Sequence, residues 1–362
     1  MLWAGGPGVR RCAGVVPSRV DELSRPLTPK LTPQQSGTTN GLIGISAVNA
    51  RVAWACGRNG TFAFTTNGGT TWQTSVVPGA ETLQFRDVEA VSATVAYLLS
   101  IGAGTDSRIY KTVDGGKTWS LEFQNQDPNG FYDCFAFWDA RHGLTMADSV
   151  GARFPVVRTM DGRHWDDIGD ALPAALPGEA GFASNGTCAA TFGARRPWLT
   201  TGGTDAARVF STSDRGETWM ASIAPIAAGP AGGGFSIAFR DARHGILGGG
   251  DLLTPANIRD NFARSHDGGK TWQLGTSAPI PGAIYGLAYA LGRDDDEGEH
   301  GERSGARVLA TAPTGAAWSA DEGTTWNVLP DVMGYWAVAF ADAHTGWLVG
   351  TDGRILRVDF SG

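Results

Sequence analysis

The sequence predicts an all-β protein: a seven-bladed β-propeller of four-stranded antiparallel blades, closed by an N-terminal strand in the last blade. Three observations carry this expectation. Glycine makes up 52 of 362 residues, about twice ordinary usage, and stands beside 13 Trp and 16 Phe. Many glycines with many aromatics indicate short strands joined by tight turns. A segment of the form Ser/Thr-x-Asp/Asn-x-Gly-x-Thr-Trp recurs six times, ending at Trp72, Trp119, Trp165 (with one residue deleted), Trp219, Trp272 and Trp326. The tryptophans are spaced by 47, 46, 54, 53 and 54 residues, the period of one supersecondary unit repeated. Upstream of the boxes, FAFWDARHGLTMAD, FSIAFRDARHGILGGGD and VAFADAHTGWLVGTDG align as strand, tight turn, strand. Four strands per repeat of this length, arranged radially, make a propeller.

Taken in chain order, residues 1–24 lack strand periodicity and are expected to be a disordered extension. They carry arginines but no continuous apolar core, and do not read as a secretory signal. The segment LTPKLTPQQS, 27–36, precedes the first blade and is the candidate closing strand. One propeller then spans 25–362, with blades at about 41–77, 84–123, 131–169, 182–224, 234–276, 284–329 and 335–360. Each blade holds an alternating inner strand A, a turn, an apolar strand B, a loop, strand C, the box turn and an outer strand D. In the box, Asp or Asn is expected to accept backbone N–H bonds from two residues on, while Gly supplies the left-handed position. Asn67, Asp114, Asp161, Asp214, Asp267 and Asp321 are therefore folding residues. The run GRDDDEGEHGERSG, 292–305, interrupts blade six between strands A and B. It lacks the ligand spacing of a calcium loop and is expected to be a solvated insertion. The last repeat stops after three strands. Residues 27–36 are expected to pair with Arg354–Asp359, since an uncovered edge would invite association.

Composition removes several function classes. A net charge of −7 disfavours a nucleic-acid binder. No apolar run reaches the length of a membrane span. No P-loop, HExxH or nucleophile elbow is present, and no cofactor or metal is expected. Cys12, Cys56, Cys134 and Cys188 lie far apart without a CxxC, which excludes a zinc ribbon. They read as buried thiols in strands, with one disulfide as the alternative for an exported chain. His142 and His244 occupy the same A–B turn position and His344 lies near it, which suits a structural role. Asn59 and Asn185 head Asn-Gly-Thr triplets, a glycosylation pattern that often arises by chance.

The boxes are similar to the BNR or Asp-box repeat of sialidases, sortilin-type receptors, xyloglucanases and photosystem II stability/assembly factors. AFADAHTGWLVGTDGRILRV and KTVDGGKTW carry the resemblance, which covers about 27–362 and looks most like the photosystem II assembly factor family and its bacterial relatives. It implies a seven-bladed propeller with chaperone-like binding to a membrane-protein partner, and a periplasmic or secreted location. Sialidases need an arginine triad, a Tyr/Glu pair and an acid/base Asp, with the first arginine in Arg-Ile-Pro. The nearest string here is Arg153-Phe154-Pro155, in the third blade. Xyloglucanases enclose paired aspartates between two propellers, and this chain has one. A scaffold does not fix a function.

Unequal loops point to the site. A–B and C–D turns share one face of a propeller, and B–C and D–A connections share the other, so the boxes mark the face opposite the candidate site. On that face the B–C loop lengthens to MADSVGARFPV in blade three and GGDLLTPANIRDNF in blade five. The crossover from blade three to four, IGDALPAALPGEAGFASNGT, is the longest. Asp148, Arg153, Glu179, Asp251, Asn257 and Arg259 lie in these loops. Arg86, Tyr132, Asp133, Tyr285, Tyr335 and Trp336 sit at the starts of inner strands, near the channel mouth. These twelve are the candidate ligand-binding residues, with no catalytic residue assigned. The expected activity is non-enzymatic recognition of a protein or peptide. The alternative is a glycan-active hydrolase or lyase, in which Asp133, Asp148 and Glu179 supply a general acid/base pair.

Overall fold

The computed structural model describes Met1 and residues 28–291 and 306–360. The expectations for the remainder of 1–24 and for 292–305 concern segments outside the described residues. Seven four-stranded antiparallel sheets are present. Their inner strands are Leu42–Asn49, Gln84–Ala90, Tyr132–Phe137, Ala189–Phe192, Gly232–Phe239, Gly286–Ala290 and Tyr335–Phe340. Each inner strand packs against the inner strands of two neighbours, and the last packs against the first, which closes the ring.

Closure takes the expected form. Lys30–Gln35 is the outermost strand of blade seven and pairs antiparallel with Arg354–Asp359, from Lys30 opposite Asp359 to Gln35 opposite Arg354. Gln34 fastens the seam. Its Oε1 accepts the indole N–H of Trp72 in blade one at 2.9 Å and of Trp347 in blade seven at 3.2 Å, while its amide donates to Gly68 O at 3.0 Å. Lys30–Gln35 and Arg354–Asp359 therefore share one sheet, and the seam is bonded across to the next blade.

The hydrophobic core is divided into seven clusters, each lying between two adjacent blades. One joins Trp54, Phe62 and Phe85, and another joins Trp318, Leu348 and Phe360. Strand alternation produces this, because successive side chains face the blade before and the blade after. The box tryptophans contribute to these clusters, Trp72, Trp219 and Trp272 being almost fully buried.

The boxes fold the turns, with one difference from expectation. Asp114 Oδ1 accepts the N–H of Thr118, four residues on rather than two, at 2.9 Å, and Oδ2 accepts the Thr118 hydroxyl at 2.6 Å. Thr112 Oγ1 accepts the N–H of Gly116. Asp214, Asp267 and Asp321 bond in the same way to Thr218, Thr271 and Thr325, and Asn67 accepts the Thr71 N–H while its amide donates to the Thr71 hydroxyl. In the shortened third box Asp161 accepts from Arg163 and His164 instead. The extra residue of the full-length box widens the loop, and the longer reach spans it. Gly116 is left-handed (φ 79°), and a Cβ there would meet the Phe62 ring of the preceding blade.

The cysteines correct an expectation. Cys134 and Cys188, read as buried thiols, form a disulfide linking the start of blade three's inner strand to the segment leading into blade four's, with Cα atoms 5.9 Å apart. Cys56 is a buried free thiol whose pKa is raised by burial, and Cys12 lies outside the described residues. The signal was available: the two cysteines are 54 residues apart, which is the Trp165–Trp219 period, so they occupy equivalent places in successive repeats.

Candidate functional site

The inner strands start on the loop-rich face, and alternation decides which of their first residues reach the channel. In blade seven Tyr335 packs in the core between blades six and seven, and Trp336 turns the other way. In blade three Tyr132 enters the core between blades two and three, against Phe123 at 5.1 Å, and Asp133 turns away. Tyr132 and Tyr335, expected at the mouth, are thus core residues, because neighbours on a strand face opposite sides.

At the mouth the rings form a continuous belt. Phe182 stacks on Phe235 with centroids 4.1 Å apart, Phe235 lies 5.9 Å from Tyr285, and Tyr285 meets Trp336 edge-on at 5.3 Å. The Arg86 guanidinium lies 5.4 Å from the Trp336 ring centroid and ends the belt. Phe182, Tyr285, Trp336 and Arg86 remain half-buried, and Phe235 is buried. Burial, and then repulsion from Arg58, lowers the Arg86 pKa to about 10, so the side chain stays a cation at neutral pH. Arg86 donates to Gln84 Oε1 at 2.6 Å and to the carbonyls of Ala183 and Ser184 at 2.7 and 3.2 Å. Among the described residues no carboxylate pairs with it.

Those carbonyls belong to a plug. The crossover into blade four does not go straight into a long inner strand; residues 181–187 bond to inner strands around the ring. Arg86 of blade two holds Ala183 and Ser184, Asn185 Nδ2 donates to Trp336 O of blade seven at 3.0 Å, and the Thr187 and Ser236 hydroxyls, in blades four and five, bond at 2.7 Å. Only a central position reaches all of these. The inner strand of blade four is correspondingly short, Ala189–Phe192. Asn185 is buried, so its glycosylation triplet is inaccessible in the folded chain.

A carboxyl pair anchors the plug on the side of blade three. Asp133 is buried in hydrogen-bond contact with Asp148, whose Oδ1 accepts the Gly181 N–H at 2.9 Å. Burial, followed by the neighbouring carboxylate, pushes the Asp133 pKa well up, and burial raises that of Asp148 to about 6. Asp133 Oδ2 has no hydrogen-bond partner among the described residues, and two carboxyls this close disfavour a charge on both.

The remaining candidates lie elsewhere. Glu179 is buried in a clamp, accepting from Arg208 Nε at 2.8 Å, Arg208 Nη2 at 2.5 Å, Thr201 Oγ1 at 2.6 Å and Leu176 N at 2.8 Å. Arg153 bonds Asp167 and Asp170 at 2.6 and 2.5 Å at the outer part of blade three. Asp251 and Asn257 accept the N–H groups of Leu253 and Arg259, which shapes the blade-five loop, and Arg259 is exposed. The structure therefore brings together Arg86, Asp133, Asp148, Tyr285 and Trp336 around the plug, and leaves Arg153, Glu179, Asp251, Asn257 and Arg259 outside it. Sequence reasoning missed Phe182, Asn185 and Phe235. For Phe235 the repeat held a signal, since Phe235-Ser236-Ile237-Ala238-Phe239 aligns with Trp336-Ala337-Val338-Ala339-Phe340. Among the described residues no group of three or more His, Cys, Asp or Glu side chains is placed to hold a metal, and no helix is long and apolar enough to cross a membrane.

The BNR/Asp-box repeat model matches residues 263–274, the strand and box ending around Trp272. No curated protein matches the chain by sequence. By structure the chain is similar to YCF48, a photosystem II assembly factor, bound to D1 peptide, with a TM-score of 0.63 at 16% identity over 91% of this chain and 97% of that one. It is also similar to YCF48 from Cyanidioschyzon merolae (TM-score 0.59, 16% identity, 91% of this chain and 98% of that one). The GH74 xyloglucanase from Xanthomonas campestris gives a TM-score of 0.59 at 14% identity, over 90% of this chain and 53% of that one. At these identities the likeness is one of fold.

Proposed function

We propose that this Asp-box propeller is a non-enzymatic binding module whose plugged channel mouth takes a protein or peptide segment. The observation that carries the reading is the half-exposed belt of Phe182, Tyr285 and Trp336 ending on Arg86, a cation without a carboxylate partner among the described residues. Tyr, Trp and Arg are the side chains that dominate recognition energy, because large, stiff rings bury area at low entropic cost. Arg86, with exposed Arg58 nearby, suits a carboxylate, either a side chain or a chain terminus. A segment with an apolar side chain on the belt and a carboxylate at Arg86 meets both requirements. The peptide held by YCF48 supports this reading, and the resemblance points to a membrane-protein complex as the partner. The Cys134–Cys188 disulfide supports an oxidising compartment.

The glycan-active reading is less well served. Glycosidases place two carboxyls roughly 5–10 Å apart, with the sugar between them, whereas Asp133 and Asp148 touch each other and hold the plug. The test is to pan the immobilised chain against a library of peptides with free C-termini. Acidic, apolar sequences are expected to enrich, and Arg86→Ala and Trp336→Ala should each weaken the selected peptide about tenfold or more. No enrichment, or binding indifferent to both changes, would overturn the reading.

A further inference from the structure

A strut joins neighbouring blades on the box face from four of the seven blades, and in blade four its place is left open. The residue three before the box aspartate, or its counterpart on strand C of blade seven, reaches a backbone carbonyl in the next blade's box. Lys111 donates to Gly162 O at 3.1 Å, Arg158 to Arg215 O at 2.7 Å, Arg264 to Glu322 O at 3.5 Å and Arg357 to Gly68 O at 2.9 Å. Blades one and six have bulky Phe64 and Trp318 at this place. In blade four it is Ser211, too short to cross. The carbonyl it would have met, Gly268 O, is instead taken by Trp198 Nε1 at 2.8 Å, from a ring buried against Phe239. The inter-blade bond is kept from beneath, and the space above it stays open as a groove of about 490 Å³ between blades four and five.

Cations gather around that groove. Arg196 on blade four, with Arg243 and Lys270 on blade five, are exposed and line it. Among the described residues none of the three is in an ion pair, in a chain whose net charge is −7. The one carboxylate in the lining, Asp267, is turned into its own box, where it accepts from Ser265 and Thr271. Ser211 and Ser213 add hydroxyl donors along the wall, while the Thr218 hydroxyl is donated to Asp214.

We propose that this groove is a second binding site, for a multiply charged oxyanion, a phosphate or sulfate ester. A single carboxylate would leave most of the positive charge uncompensated. An ester oxyanion offers several strong acceptor oxygens to guanidinium, ammonium and hydroxyl donors at once. The site is on the face opposite the channel mouth and does not depend on it.

The experiment is calorimetric titration of the full chain at low salt with inorganic tripolyphosphate and, separately, with a heparin-derived hexasaccharide. Saturable binding of at least one probe is expected, weakening as salt is raised, and the probe that binds identifies the ester class. Ser211→Trp, the residue that blade six has at this place, fills the groove without adding charge and should weaken binding at least about tenfold. The double change Arg196→Ala with Lys270→Ala alters only exposed side chains and should do the same with the melting temperature unchanged. Trp336→Ala should leave this binding intact. Absence of saturable binding to both probes, or undiminished affinity in the charge-deleted variant, would overturn the proposal.

Discussion

Asp133 and Trp336 reach the channel because Tyr132 and Tyr335, their chain neighbours, have taken the core side of the strand. Burial, and Asp148 beside it, push the Asp133 carboxyl toward its neutral form. Asp148 ordinarily titrates near 3.8, and in the folded chain its pKa rises to about 6 through burial. A carboxyl raised in this way stabilises the fold fully below its unfolded value, and the contribution is lost as pH rises through the folded value. Glu89, raised by burial to about 8, acts with the same sign at higher pH. The melting temperature should therefore fall as pH rises from 4 toward 7. Asp148→Asn should flatten that slope, since it removes the group that titrates near 6. Parallel profiles for the two proteins would show that Asp148 does not set the slope. In the opposite sense, the hydrogen bonds from Thr118 lower Asp114 to about 2, so the boxes lose their contribution only in strong acid.

Among the elements, two short segments do more than their length suggests. Lys30–Gln35 has no partner within its own stretch of chain and becomes a strand only because Arg354–Asp359 presents an open edge. Its Gln34 answers two buried indoles and a carbonyl. Gln34→Ala removes all three bonds and leaves the indole N–H groups of Trp72 and Trp347 unmet, so a loss of about 1–3 kcal/mol is expected. The change should appear as a lower urea midpoint. A midpoint equal to that of the unaltered chain would mean that water replaces the amide and that strand pairing alone closes the ring. Residues 181–187 are the second such segment. They are held by side chains from several blades, and their path exists only after the ring has formed.

At the scale of the molecule, stability is shared among seven inter-blade cores, so the ring is as strong as its weakest seam. The disulfide ties one seam, between blades three and four, where the plug enters. Closing a loop of 54 residues restricts the unfolded chain enough to stabilise by about 2–4 kcal/mol. Cys134→Ser with Cys188→Ser should lower the denaturant midpoint accordingly, and reductant should do so only slowly in the native state, since both sulfurs are buried. An equal midpoint with and without the bond would show that packing of Phe154, Phe210 and Trp219 alone holds the seam.

The sequence by itself determined what repeats. Box spacing, strand patterning and a last blade one strand short were enough for the blade count, the antiparallel sheets and the closing strand, because short-range turn chemistry and period-two alternation are written in consecutive residues. Only the tertiary structure decided what breaks the repeat. Glu179 and Arg153 looked like loop residues free to bind, but each found partners brought near by the fold. The plug, the aromatic belt and the carboxyl pair join residues far apart in the chain, Asn185 and Trp336 being 151 positions apart and Arg86 and Trp336 further still. Their meeting depends on the radius of the closed ring, a quantity that no local stretch of chain contains.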